Sequence, residues 1–194
     1  MTCIVGLISE GRVYIGGDSA GVGNGYGLVV RNDRKVFTNG DFVMGFTTSF
    51  RMGQLLAHSF NPPKPRQGVD IFAYMVTDFI DSARQTMKNG GFARVKDSHS
   101  EQGGTFLVGY AGRLFNIEDD FQVGESIHGF DAVGCGEQLA LGSLHSTGAM
   151  SDPEERIREA LRVAEACSAG VRSPFFIQST PATASQSNPE GQSK

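Results

Sequence analysis

The chain has no apolar run approaching the roughly 20 residues that a membrane-spanning helix requires. Its first such run, Cys3 to Ile8, ends at Ser9-Glu10, and no charged-then-apolar leader precedes it. A cytoplasmic protein is expected. Strongly basic stretches are also missing: 17 Lys and Arg are mixed with 21 Asp and Glu for a net charge of −4. Binders of the phosphate backbone carry a basic stripe, so neither nucleic acid nor a membrane is an expected partner. Cysteine is scarce. The odd set Cys3, Cys135 and Cys167 lacks metal or Cys-x-x-Cys spacing, which excludes a disulfide framework and suggests buried, reduced thiols. The glycine-rich stretch Gly21, Gly23, Gly25, Gly27 is not followed by Lys-Ser/Thr, so it is read as a turn leading to a short irregular strand rather than a phosphate loop. Glu118-Asp119-Asp120 lacks a histidine or a fourth carboxylate and reads as a solvated turn; neither a metal nor a cofactor is expected.

What the sequence does have begins at its start. Thr2 opens the β-prone run Cys3-Ile4-Val5-Gly6-Leu7-Ile8, and a turn at Ser9-Glu10-Gly11 leads to a second run, Arg12 to Ile15, that ends on Gly16-Gly17-Asp18. Methionine is normally trimmed before a small second residue, which would leave a threonine with a free α-amine inside a strand. A chain terminus is usually frayed and dispensable. A threonine there can instead act as a nucleophile with its own amine as base. Cys3, the neighbouring candidate, alternates to the opposite face of the strand.

Length permits one domain burying about 70% of its unfolded surface, expected over 1–180, with the polar tail 181–194 disordered. Arg34 to Phe37, Asn39-Gly40-Asp41 and Phe42 to Met44 form a hairpin around an Asn-Gly turn. Met52, Leu55, Leu56 and Phe60 recur at helical spacing over 49–60, ended by Pro62-Pro63-Lys64-Pro65. A second helix over 69–87 has Asp70 near its cap and a stripe of Phe72, Val76, Phe79 and Ala83. Residues 88–102 read as a mobile loop, and 105–117 as a hairpin around Ala111-Gly112. The strand Phe130 to Gly134 runs into Gly134-Cys135-Gly136 and a helix. The last helix starts at Ser151 or Asp152, with Pro153, Glu154 and Glu155 in its first turn. Its expected stripe is Ile157, Leu161, Ala164 and Ser168, and a strand over 173–180 closes the fold.

In order, Thr2, Gly16-Gly17-Asp18-Ser19, Arg31-Asn32-Asp33-Arg34-Lys35-Val36-Phe37, Phe42-Val43-Met44-Gly45-Phe46, Gly134-Cys135-Gly136 and Glu165-Ala166-Cys167-Ser168-Ala169-Gly170 resemble the motifs of the proteasome β-subunit family. The bacterial proteasome-like peptidase that works with a heat-shock ATPase is the member they resemble most. The likeness spans most of residues 2–179. It implies an α+β fold, the four-layer αββα sandwich of N-terminal-nucleophile hydrolases, and a threonine peptidase with Thr2 as nucleophile. It further implies that Asp18 orients Lys35 and that the Gly45 amide helps form the oxyanion hole. Cys135 stands where the family has a serine near the terminal amine, and Glu165 stands where it has an aspartate, paired with Ser168. Asp33, Phe37 and Val43 would line the first specificity pocket, whose mixed character predicts no clear side-chain preference.

The substrate class implied is a peptide or unfolded protein, and the assembly a homo-oligomeric ring fed by an ATPase. The family's long pro-peptides are absent, so methionine removal is the expected activation. Loss of Lys35 is expected to abolish activity and leave the fold intact. The Cys135 and Glu165 departures keep two other readings open. One is a non-proteolytic amidase or transpeptidase of the same class; the other is an inactive scaffold.

Overall fold

In the computed structural model the described residues are 1–23, 27–92, 94–96 and 100–181, with backbone alone for 94–96 and 100–102. The expected disordered tail lies outside them from residue 182. Two sheets face each other. The first has the order β12-β1-β2-β13, built from Phe130–Gly134, Cys3–Ser9, Arg12–Gly17 and Phe176–Ser179. The second has the order β11-β10-β9-β6-β5, from Val123–Gly124, Arg113–Ile117, Phe106–Tyr110, Phe42–Phe46 and Val36–Asn39. Every strand pairing is antiparallel.

Strand alternation explains the layers. Along β1, Cys3, Val5 and Leu7 point to one face, where they pack with Ala140 and Leu144 of α4 (Glu137–Ser146) and Ile157, Leu161 and Ala164 of α5 (Pro153–Cys167). Ile4 points the other way, into an apolar layer with Val13, Ile15, Val36, Val43, Leu107, Leu114 and Val133 between the sheets. On the far side of the second sheet, Met44, Phe46 and Phe106 pack against α1 (Phe50–His58) and α3 (Ile80–Asn89) through Met52, Leu56, Ala83 and Met87. The order helix, sheet, sheet, helix is the expected αββα sandwich. Ser49, Asp70 and Asp152 cap α1, α2 (Ile71–Tyr74) and α5 by accepting backbone N–H bonds.

Several expectations need correction. The second helix contains a π segment, Met75–Phe79, between α2 and α3. Its wider turn rotates the following residues. Tyr74, Met75, Phe79, Ile80, Ala83 and Met87 are buried, whereas Phe72 and Val76 are 37% and 39% exposed and leave the expected stripe. The expected loop over 88–102 holds a two-stranded ribbon, β7 (Arg94–Lys96) with β8 (Ser100–Gln102). Upstream, β3 (Ala20–Val22) pairs with β4 (Leu28–Val30) where one irregular strand was expected. Of the three thiols only Cys3 is buried; Cys135 and Cys167 are exposed because they lie in a turn and at a helix end. Ser168 is the half-buried C-cap of α5, not part of its buried stripe, which holds Ala160 instead. No helix among the described residues is long and apolar enough to cross a membrane.

Candidate active site

Strand β1 sets the position of Thr2. Thr2 lies two residues before Ile4, so its side chain falls on the inter-sheet face, at the end where β1 meets the turn after β12. The close approach there depends on Gly134, whose φ is +102° and whose missing Cβ would lie 2.3 Å from the Thr2 carbonyl oxygen. Thr2 is 4% exposed.

Lys35 directly precedes β5, and its side chain enters the same space. Its Nζ donates to Thr2 Oγ1 at 3.0 Å and to Asp18 Oδ1 at 2.7 Å. Asp18, just past β2, also accepts backbone N–H bonds from Cys3 (3.0 Å), Ala20 (2.8 Å) and Arg172 (3.2 Å). Asp18 and Lys35 are 1% and 2% exposed. A carboxylate with three backbone donors and an ammonium is fully partnered, which makes its burial tolerable. Burial pushes the Lys35 ammonium below the ordinary lysine range, and the charge and hydrogen bond of Asp18 oppose that shift. Burial, then Asp18, pushes the Cys3 thiol well above its ordinary range. Cys3 Sγ is therefore a protonated core group facing the helices.

Cys135 lies on the other side of Thr2. With Met1 in place the Thr2 nitrogen is a peptide N–H, standing in for the free α-amine of a trimmed chain. It points at Cys135 Sγ at 3.3 Å, and that sulfur lies 3.5 Å from Ser168 Oγ. Met1 covers this corner: its Cβ lies 2.5 Å from where a Cβ on Gly170 would be, and its carbonyl accepts the Thr2 hydroxyl.

The structure thus brings together Thr2, Asp18, Lys35, Cys135 and Ser168. Glu165 is not among them. Its Oε1 accepts the Ser173 N–H at 2.8 Å and ties α5 to the segment that brings the Arg172 amide to Asp18. Gly45 is also displaced from its expected role. It is paired with Val36 on one side and Leu107 on the other, and its missing Cβ would strike Ile4 and Ile15 at 2.6 and 2.8 Å. A residue bridged on both sides has its amide committed to the sheet. Just past β6, Thr48 has φ +66°, and its N–H meets no acceptor among the described residues. A non-glycine residue in that conformation is uncommon, but nothing in the sequence marks it.

A cavity of about 500 Å³ opens between β5 and α1, lined by Asp33, Phe37, Phe46, Phe50, Gln54 and His58 among others. Asp33 is held by Arg31 through two 2.7 Å bonds, which pull its carboxyl below the ordinary carboxylate range. Val43 does not line the cavity. It is fully buried between the sheets because its side chain alternates away from α1.

No protein-family model and no curated sequence matches the chain. Solved structures do. The β-subunit homologue BPH of Thiobacillus denitrificans, solved in complex with epoxomicin, superposes with a TM-score of 0.76 at 20% identity over 94% of this chain and 100% of its own. Eukaryotic HslV from Trypanosoma brucei gives 0.64 at 17%, covering 92% and 98%. Anbu from Hyphomicrobium sp. strain MC1 gives 0.63 at 14%, covering 91% and 80%. The layers, the strand order and these superpositions lead to one conclusion: this chain has the N-terminal-nucleophile fold of the proteasome-like β subunits.

Proposed function

We propose that the protein is a threonine peptidase whose nucleophile is Thr2 Oγ, released for use when Met1 is removed. The observation that carries this reading is the buried chain Thr2 Oγ1–Lys35 Nζ–Asp18 Oδ1, at 3.0 and 2.7 Å. A threonine hydroxyl is a poor nucleophile unless a neighbouring base takes its proton. The α-amine of a trimmed Thr2 would be that base, since a free α-amine has a pKa near 8 and is partly neutral at cellular pH. The Lys35 ammonium favours this in two ways. Its charge disfavours a second positive charge on the amine, and its hydrogen bond favours the developing alkoxide. Asp18 keeps that ammonium charged and aimed.

Attack on a peptide carbonyl would give a tetrahedral oxyanion, for which Thr48 N–H replaces Gly45 as the available donor. Collapse would release the amine product and leave an ester on Thr2, which water then hydrolyses. Cys135, within 3.3 Å of the Thr2 nitrogen, and Ser168 behind it would orient the amine. The substrate side chain beside the attacked carbonyl would meet Phe50, which lines the cavity together with Asp33 and Phe37. By the resemblance, the chain works as a homo-oligomeric ring with an ATPase partner on unfolded protein.

The test is intact-mass measurement before and after a peptide epoxyketone, a reagent that bridges a terminal threonine's hydroxyl and amine. The expected result is a chain lacking methionine that gains one adduct, with no adduct on Thr2→Ala. A chain that retains methionine, or a trimmed chain that takes no adduct, would overturn the reading.

A further inference from the structure

Phe50, the first residue of α1, lines the 500 Å³ cavity and also faces the proposed catalytic lysine. Its ring centroid is 5.8 Å from Lys35 Nζ, which itself touches Thr2 Oγ1. Phe50 lines the cavity, but neither Lys35 nor Thr2 does. The ring therefore forms part of the wall between Lys35 and the cavity.

The ring is braced. The Arg31 guanidinium stacks on the Phe50 ring at 3.9 Å, and both arms of that guanidinium are held by Asp33. Phe46 meets the ring edge-on, with centroids 5.7 Å apart. Phe46 is fixed in turn because α1 presents Gly53 to it, where a Cβ would lie 2.1 Å from the ring. Moving Phe50 aside breaks a cation–π stack and an aromatic pair together.

We propose that Phe50, pinned by the Arg31–Asp33 pair, determines specificity by closing the cavity to the reacting centre, so that the enzyme acts beside small side chains. The proposal rests on the peptidase reading above and names its substrate class: peptides with Gly, Ala or Ser on the acyl side of the cleaved bond. A large side chain in that place has to displace the ring, and a small one does not. This replaces the expectation of no clear preference, since Asp33 is engaged by Arg31 and Val43 lies elsewhere.

Two epoxyketone tripeptides that differ only in carrying alanine or phenylalanine at the warhead residue test it, with the rate of Thr2 adduct formation followed by intact mass. Wild type is expected to react at least about tenfold faster with the alanine probe, a difference that pocket exclusion readily gives. Phe50→Ala should reverse that ratio. Arg31→Ala, which leaves the ring unpinned, should speed the phenylalanine probe alone. Phe50→Leu serves if Phe50→Ala loses its cooperative thermal transition. Equal rates for the two probes in wild type, or an unchanged ratio in the Phe50 variants, would overturn the proposal while the adduct itself upholds the peptidase reading. No adduct from either probe would overturn both.

Discussion

Asp18 and Lys35 are buried almost completely, and the cost of that burial explains why so many donors converge on one carboxylate. Removing one partner of a buried ion pair typically costs about 3–5 kcal/mol, because the other charge is left alone. Lys35→Met keeps the length of the side chain and removes its charge, while the three backbone N–H bonds to Asp18 remain. We expect this variant to lose turnover and about 3 kcal/mol of stability in urea titration. An inactive variant with an unchanged midpoint would mean that the pair contributes nothing to the fold.

The lowered Lys35 pKa gives a pH dependence with a definite sign. On the acid side, activity should rise as the α-amine loses its proton near or below pH 8. On the alkaline side it should fall as Lys35 loses its own proton, and that limb lies below the ordinary lysine value of 10.5 because burial outweighs Asp18. Lys35→Arg holds its proton throughout. If that variant turns over, its kcat/KM profile should lack the alkaline limb. Cys135 offers a milder test at this scale. A thiol is a weak hydrogen-bond partner, so Cys135→Ser should hold the amine better and raise kcat several-fold with little change in KM. An unchanged kcat would argue that the sulfur does not position the amine.

At the scale of elements, the two sheets approach closely enough that glycine is required where β6 crosses β1 and β2. Gly45→Ala would drive a methyl into Ile4 and Ile15. Overpacking of this kind costs on the order of 2 kcal/mol. Because β6 leads directly into Thr48, the same substitution should also slow Thr2 labelling by an epoxyketone. A thermal midpoint equal to wild type would contradict this account of the sheet contact. The π segment acts in the opposite sense. By adding a residue to one turn it swings Val76 away from the face that buries Phe79. Simple 3.6-residue periodicity could not find that shift. It did find α1 and α5, whose caps and apolar stripes are uninterrupted, except that Ser168 belongs to the cap.

Across the whole molecule, the layers sort the three thiols. Cys3 is sealed under α4 and α5, whereas Cys135 and Cys167 face solvent. An aromatic disulfide reagent should therefore modify two thiols quickly in the native state and the third only as fast as the protein unfolds. Three fast thiols would mean that the helix layer does not cover β1. The same layering separates the two roles of the N-terminal strand. Its odd residues anchor it to the helices, and its even residues, Thr2 and Ile4, face the cleft between the sheets.

The strands flanking the site, the caps, and the candidates Thr2, Asp18, Lys35 and Cys135 are legible in the chain, because each is written in local alternation, turn chemistry or an ordered motif. Which candidates meet depends on the packing of the two sheets and the helices. That packing placed Glu165 against the Ser173 amide, committed the Gly45 amide to the sheet and left that of Thr48 free. It moved Val43 into the core and set the Phe50 ring against both Lys35 and the cavity. These outcomes depend on contacts between residues far apart in the chain, where the direction of an amide or a ring is set by neighbouring strands and helices. Local sequence carries no record of that direction.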